Sequence, residues 1–204
     1  MPARGDYLCV MTNIRLFFLA VLCVALLPVA ASAERKPKPK TKTPPGSAAP
    51  APTDPGPAKP LGTVGSWTAY LAQNKTGKVC YLVGQPEKTE PAAMKRKTVM
   101  AMVTHRTEDN VDNVISFDEG YPLKEDADVL LHVGGEKFEL FAKDDSAWAR
   151  TSDLDKAIVT ALAKEKQAVV KASPRKGRAT TDTYSLAGFS KALALIDKAC
   201  DVKR

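Results

Sequence analysis

Residues 61–204 alternate apolar and polar side chains with a period of two more often than with a helical period, so most expected elements are strands. Ser66–Leu71 sets Trp67, Ala69 and Leu71 against Thr68 and Tyr70. Val79–Val83 and Val99–Val103 are apolar on both faces, as strands of a sandwich core are. Asn113–Asp118 and Ala168–Ala172 are further strands. Arg178–Tyr184 is β-prone but polar, which suits an edge or half-exposed strand. Asp128–Val133 and Glu136–Phe141 flank Gly134-Gly135, a two-residue turn that supplies positive φ. That loop length sets the register. Leu131 then faces Phe138 and Val129 faces Leu140, while His132 pairs with Lys137 and Leu130 with Glu139 on the solvated side.

Two segments change period. Ser152-x-x-Asp155 reads as a capping box, followed by Leu154, Ile158 and Leu162 on one stripe. Leu186–Ala199, capped by Ser185, carries Phe189, Leu193, Ile196 and Cys200 on a single apolar face. The fold class expected is mostly β: a β-sandwich-like antiparallel domain with one short helix and a C-terminal helix, with α+β as the alternative. Its 144 residues suffice for one conventional core.

The first 60 residues are different material. Residues 1–33 read as a signal peptide. Arg15 precedes twelve apolar residues, Leu16–Leu27, and Ala31-Ser32-Ala33 places cleavage between Ala33 and Glu34. The apolar run is shorter than the roughly 17–25 residues of a membrane span. Met11 is an alternative start. Residues 34–60 hold nine of the fifteen prolines and no aromatic residue. Such a stretch buries too little apolar area to offset its ordering entropy, and reads as an extended Pro/Lys-rich linker. It is a spacer, or a tether to anionic envelope polymer or lipid.

This division changes the meaning of the formal charge of +7. The signal carries +1, the linker +4, and residues 61–204 only +2. A nucleic-acid partner needs a basic folded surface, and this balance removes the case for one. The four cysteines divide in the same way. Cys9 and Cys23 leave with the signal. Cys80 on a core strand and Cys200 on a buried helical face remain, an even pair in an exported chain, and read as a disulfide.

Chemistry is sparse. His105 follows a core strand beside Arg106, a neighbour that favours a neutral imidazole and so a general base, but no nucleophile is identified for it. Ser173-Pro174-Arg175-Lys176 matches S-x-x-K, whose chemistry needs a helix start, yet the run lies between two strands and reads as a basic turn. Asp126, Asp128, Asp144 and Asp145 lack calcium-loop spacing, and Asn74-Lys75-Thr76 is a glycosylation sequon. No catalytic residue, metal site or cofactor is expected. Trp67, His105, Arg106, Tyr121, Trp148 and Arg175 form a speculative binding surface.

The run Ala179-Thr180-Thr181-Asp182-Thr183-Tyr184-Ser185-Leu186-x-Gly188-Phe189, ending in Ile196-Asp197-Lys198-Ala199-Cys200, resembles a signature of the invasion-associated locus B family of alphaproteobacteria. Lys78-Val79-Cys80-Tyr81, Gly120-Tyr121-Pro122-Leu123-Lys124-Glu125 and Ala147-Trp148-Ala149 match as well, and the resemblance spans about residues 64–200. It departs at Ala172–Arg178, where family members carry a Lys-Gly-x-Ser-x-Arg-Gly-Thr type of turn. The resemblance implies an exported, small, mostly β protein and supplies no catalytic residues. The expected function is a periplasmic or secreted non-enzymatic protein that binds an envelope or host-cell surface partner. Alternatives are a structural envelope protein tethered by residues 34–60 and an unrecognised periplasmic hydrolase.

Overall fold

The computed structural model describes residues 57–204, Asn74 excepted. The signal segment with its Ala33–Glu34 cleavage point, the linker as far as Gly56, and the sequon asparagine lie outside the described residues. β1 (Lys59–Val64) begins two residues inside the segment read as linker. Pro60 pairs with Tyr70 there, at the sheet margin where a missing N–H costs no internal bond.

β2 (Trp67–Gln73), β3 (Lys78–Gly84), β5 (Met100–Arg106) and β6 (Val111–Asp118) follow as a meander, interrupted by the short β4 (Lys88–Glu90). β7 (Asp128–Val133) and β8 (Glu136–Lys143) form the expected hairpin in the expected register, Leu131 opposite Phe138 and Val129 opposite Leu140. β9 (Ser146–Trp148) precedes helix α1 (Ser152–Lys164). β10 (Gln167–Ala172), β11 (Thr180–Ser185) and helix α2 (Phe189–Ala199) complete the chain. Every pairing among the described residues is antiparallel, in one ladder of order β1-β2-β3-β5-β6-β9-β8-β7-β10-β11-β4.

The ladder folds back so that its two halves face each other. Trp67 Nε1 on β2 donates to the Ser185 carbonyl on β11 at 2.8 Å, and the Phe117 and Tyr184 rings meet edge to face at 5.8 Å. Between them lie Leu82, Val103, Ile115, Val129, Leu131, Leu140 and Val170, all buried. Each such side chain contributes about 1.5–3 kcal/mol of transfer free energy. Gly84 stands directly opposite Trp67, and a Cβ there would come within 2.6 Å of the indole. α1 packs on β6, and α2 covers β1, β2 and β3. Cys80 and Cys200 are joined, tying α2 to β3 with a Cα–Cα distance of 6.0 Å.

Three expectations are corrected. The cap of α1 is Thr151, whose hydroxyl accepts from the Leu154 amide at 3.2 Å. Asp155 points inward and accepts from the Ile115 amide at 2.9 Å, so Ser152 and Asp155 form no box. α2 starts at Phe189 behind a left-handed Gly188, because Ser185 is still part of β11. β11 is not an edge strand: β4 pairs along it, and Thr180, Asp182 and Tyr184 point into the interior. It is half-exposed, as the other reading had it: Thr181, Thr183 and Ser185 are partly exposed, while the inward polar residues mark a buried network.

Candidate functional site

The β5–β6 pairing slips between Thr104 and Arg106, and opposite the slip Asn113 takes a positive φ of 60°. Bulges of this kind re-aim side chains and bend a strand. Here the bulge turns the Asn113 amide onto His105 Nδ1, to which it donates at 3.0 Å. Nδ1 is thus an acceptor, and the ring proton sits on Nε2, which faces Asp197 Oδ1 at 3.0 Å. Asp197 in turn accepts from Arg204 Nε at 2.6 Å and Nη2 at 2.8 Å. Burial pushes the Asp197 carboxyl up, but the hydrogen bonds and charges of His105 and Arg204 outweigh it and hold it below the usual range. His105 is 1% exposed with both ring nitrogens engaged. It holds β5, β6 and α2 together, and no lone pair is free to take a substrate proton.

Asn113 also lines a cleft of about 350 Å³ between α1, α2 and the last residues of the chain. Val159, Ala163 and Leu193 form an apolar floor. Lys156, Lys164 and Lys203 stand at its margin, exposed and in no ion pair among the described residues. Arg204 lines it too, but its charge is matched by Asp197. Asn113 Nδ2 donates to Asp112 Oδ1 at 2.9 Å, while Asn113 Oδ1 is buried without a partner among the described residues. The exposed Asp112 carboxylate also lines the cleft, which among the described residues thus offers three lysines against one unpaired acid, an apolar wall and an unused acceptor.

A second polar cluster lies between the sheet halves. Arg96, on the β4–β5 connection, holds Asp182 of β11 with both terminal nitrogens, at 2.7 and 2.5 Å. Glu119 Oε2 lies 3.6 Å from the same guanidinium, and both carboxylates are 0% exposed. Tyr121 and Thr180 hydroxyls are 2.5 Å apart and both reach Glu119 Oε2. Burial, then the neighbouring Asp182 charge and hydrogen bond, push the Glu119 carboxyl up to about 8 despite Arg96. Glu119 therefore keeps its proton at neutral pH. The arrangement anchors residues 91–99 to β11; with both acids sealed from solvent it presents nothing to a ligand.

The six residues grouped from sequence as a binding surface do not form one. Trp67 and Tyr121 are core residues, and His105 is buried. Arg106 pairs with Asp109 at 2.9 Å, Trp148 is half-buried on β9, and Arg175 is exposed in the β10–β11 turn, paired with Glu125. Ser173 lies in that turn and not on a helix, as expected. No group of metal-ligating side chains occurs among the described residues. The open depression beside Thr68, Tyr70, Val83 and Gln85, near the stacked Tyr70–Tyr81 pair (centroids 5.1 Å apart), is lined among the described residues by no cation and by one acid, Glu87, which accepts from Gln167 Nε2 at 3.2 Å.

Sequence reasoning missed Asn113, Asp197, Arg96, Glu119 and the lysine margin. Asp182 carried a usable signal: it shares the inward parity of Thr180 and Tyr184, where a charge demands a buried partner. For Asn113 no comparable signal exists, because the bulge depends on strand pairing.

Comparison with known proteins now places the chain. The family described as Invasion associated locus B (IalB) protein matches residues 67–197. Among solved structures, the crystal structure of invasion associated protein b from Bartonella henselae matches with a TM-score of 0.50 at 20% identity, covering 69% of this chain and 97% of that one. That likeness supports the fold. No curated protein sequence matches.

Proposed function

The chain belongs to the invasion associated locus B family, and from that premise we propose that it is an exported, non-enzymatic protein that binds an anionic partner at the bacterial envelope or the host-cell surface. The observation that carries this reading is the cleft between α1 and α2, with Lys156, Lys164 and Lys203 unpaired around it. The folded part has little net charge, so three lysines against the single carboxylate of Asp112 around one concavity are a local feature and not a consequence of composition. The engaged ring of His105 supports a binding role over hydrolysis, since a general base needs a free lone pair within reach of its proton.

The test is capture of envelope extract and of host membrane extract by the purified chain. Lys156→Gln with Lys164→Gln and Lys203→Gln is expected to lower capture several-fold at low salt. Capture that is unchanged by the triple substitution, or absent for the unmodified chain, refutes the reading. A second reading rests on Lys36, Lys38, Lys40 and Lys42, spaced by Pro or Thr before the folded part: the protein is tethered to anionic polymer through that run. Removing residues 34–56, which leaves β1 intact, would then release it from envelope fractions, with the cleft lysines irrelevant.

A further inference from the structure

We propose that the cleft between α1 and α2 is a binding site for an acidic sugar unit, a pyranose bearing a carboxylate or sulfate, within an anionic polysaccharide. This deepens the anionic-partner reading above and rests on it. Each wall of the cleft makes a separate demand. The ammonium groups of Lys156, Lys164 and Lys203 call for an anion. The floor of Val159, Ala163 and Leu193 calls for an apolar face against it. Asn113 Oδ1 calls for a hydrogen-bond donor, because Nδ2 already serves Asp112 and the oxygen is buried with no partner among the described residues. Thr160 adds to this: its hydroxyl proton is given to the Lys156 carbonyl at 2.7 Å, leaving its oxygen lone pairs free to accept.

An acidic pyranose meets all three demands. It carries the anion, its axial C–H groups form an apolar face, and its hydroxyls donate. A fatty acid supplies no donor for Asn113. A nucleotide would leave its base without a stacking partner, since no aromatic side chain among the described residues lines the cleft. The volume of about 350 Å³ is at the small end for ligand sites and suits a short sugar segment.

The site is also built, and not merely a gap between lysines. Asn113 is held at positive φ, a conformation that costs free energy and persists only where surroundings impose it. Those surroundings are the buried chain Asn113 N–H to His105, His105 to Asp197, and Asp197 to Arg204, which itself lines the cleft. The two ends of that hydrogen-bonded chain, Asn113 and Arg204, both line the one small cavity.

The experiment is calorimetric titration of the whole chain with four probes: tetragalacturonate, a sulfated heparin tetrasaccharide, neutral maltotetraose and tetraglutamate. At least one acidic sugar is expected to bind tenfold or more tighter than both maltotetraose and tetraglutamate. A preference for tetragalacturonate assigns the anion to a carboxylate, and a preference for the heparin tetrasaccharide, which carries both groups, assigns it to sulfate. Asn113→Gly accepts positive φ while removing the acceptor; it is expected to erase the preference over tetraglutamate while the circular dichroism spectrum stays unchanged. Lys164→Gln, on an exposed helix position, is expected to weaken acidic-sugar binding several-fold without affecting folding. Equal binding of tetraglutamate and the acidic sugars overturns the sugar assignment and leaves the anionic-partner reading standing. Binding of neither acidic sugar by a chain that still captures envelope extract overturns it in the same way. Loss of both binding and capture overturns the two together.

Discussion

At the level of single residues, the buried polar groups divide into those that close the fold and those that leave a demand open. Glu119 belongs to the first kind. Its folded carboxyl titrates near 8 against an ordinary value of 4.5, because burial and Asp182 disfavour its charge. The folded chain therefore holds a proton that the unfolded chain releases, and stability falls as pH rises through that window, with the loss complete above about 8. Asp155, raised to about 6 by burial, acts in the same direction but finishes earlier. Glu119→Gln keeps a donor toward Asp182 and cannot ionise. Urea denaturation should accordingly show a flatter decline in stability between about pH 6.5 and 8.5 for the variant than for the unmodified chain. A decline of equal slope in both would assign the titration elsewhere. Asn113 is of the second kind: Glu119 Oε1 is also buried without a partner among the described residues, but Asn113 lines a cavity, which is why the cleft, and not the sealed Arg96 cluster, is the candidate site.

At the level of elements, strands were more legible than helix ends. The β7–β8 hairpin was readable to the register because Gly134-Gly135 sets the loop length and each face has its own hydrophobic pattern. Helix caps depend on which of two adjacent hydroxyl residues turns its backbone out of the helix. Ser152 and Thr151 are equivalent candidates on paper, and packing of Asp155 against β6 selects Thr151. Thr151→Ala should cost about 1 kcal/mol in chemical denaturation, and Ser152→Ala only a few tenths, as expected of a cap and a first-turn residue. Similar losses for both would remove the assignment. The same dependence on context overturns the edge placement of β11, though not its half-exposed pattern. Its Thr-Thr-Asp-Thr-Tyr run is polar because its inward positions serve the Arg96 network, and composition cannot distinguish an inward-facing polar residue from a solvated one.

For the molecule as a whole, the disulfide between Cys80 and Cys200 joins the third strand to the end of the last helix across 120 residues. Closing so long a loop restricts the unfolded chain, and Cys80→Ala with Cys200→Ala should lower stability by about 4–5 kcal/mol in the chain-entropy account. Mass spectrometry after alkylation without reductant should find neither thiol modified; two modified thiols would contradict the bridge. This pairing was readable from the sequence, as were the antiparallel β class, both helices and the family, because periodicity, turn residues and the location of cysteines are local properties of the chain. The candidate site was not. His105 stood out in the sequence as a potential base, and tertiary structure occupied both its nitrogens through a bulge and a helix that arrives some ninety residues later. Lys156, Lys164 and Lys203 look in sequence like ordinary solvated lysines. Only the packing of α1 against α2 and β6 sets them around one cavity with Asn113 inside it. Pattern determines which face of an element is buried; which side chains from distant elements share a cavity is decided by how those faces pack.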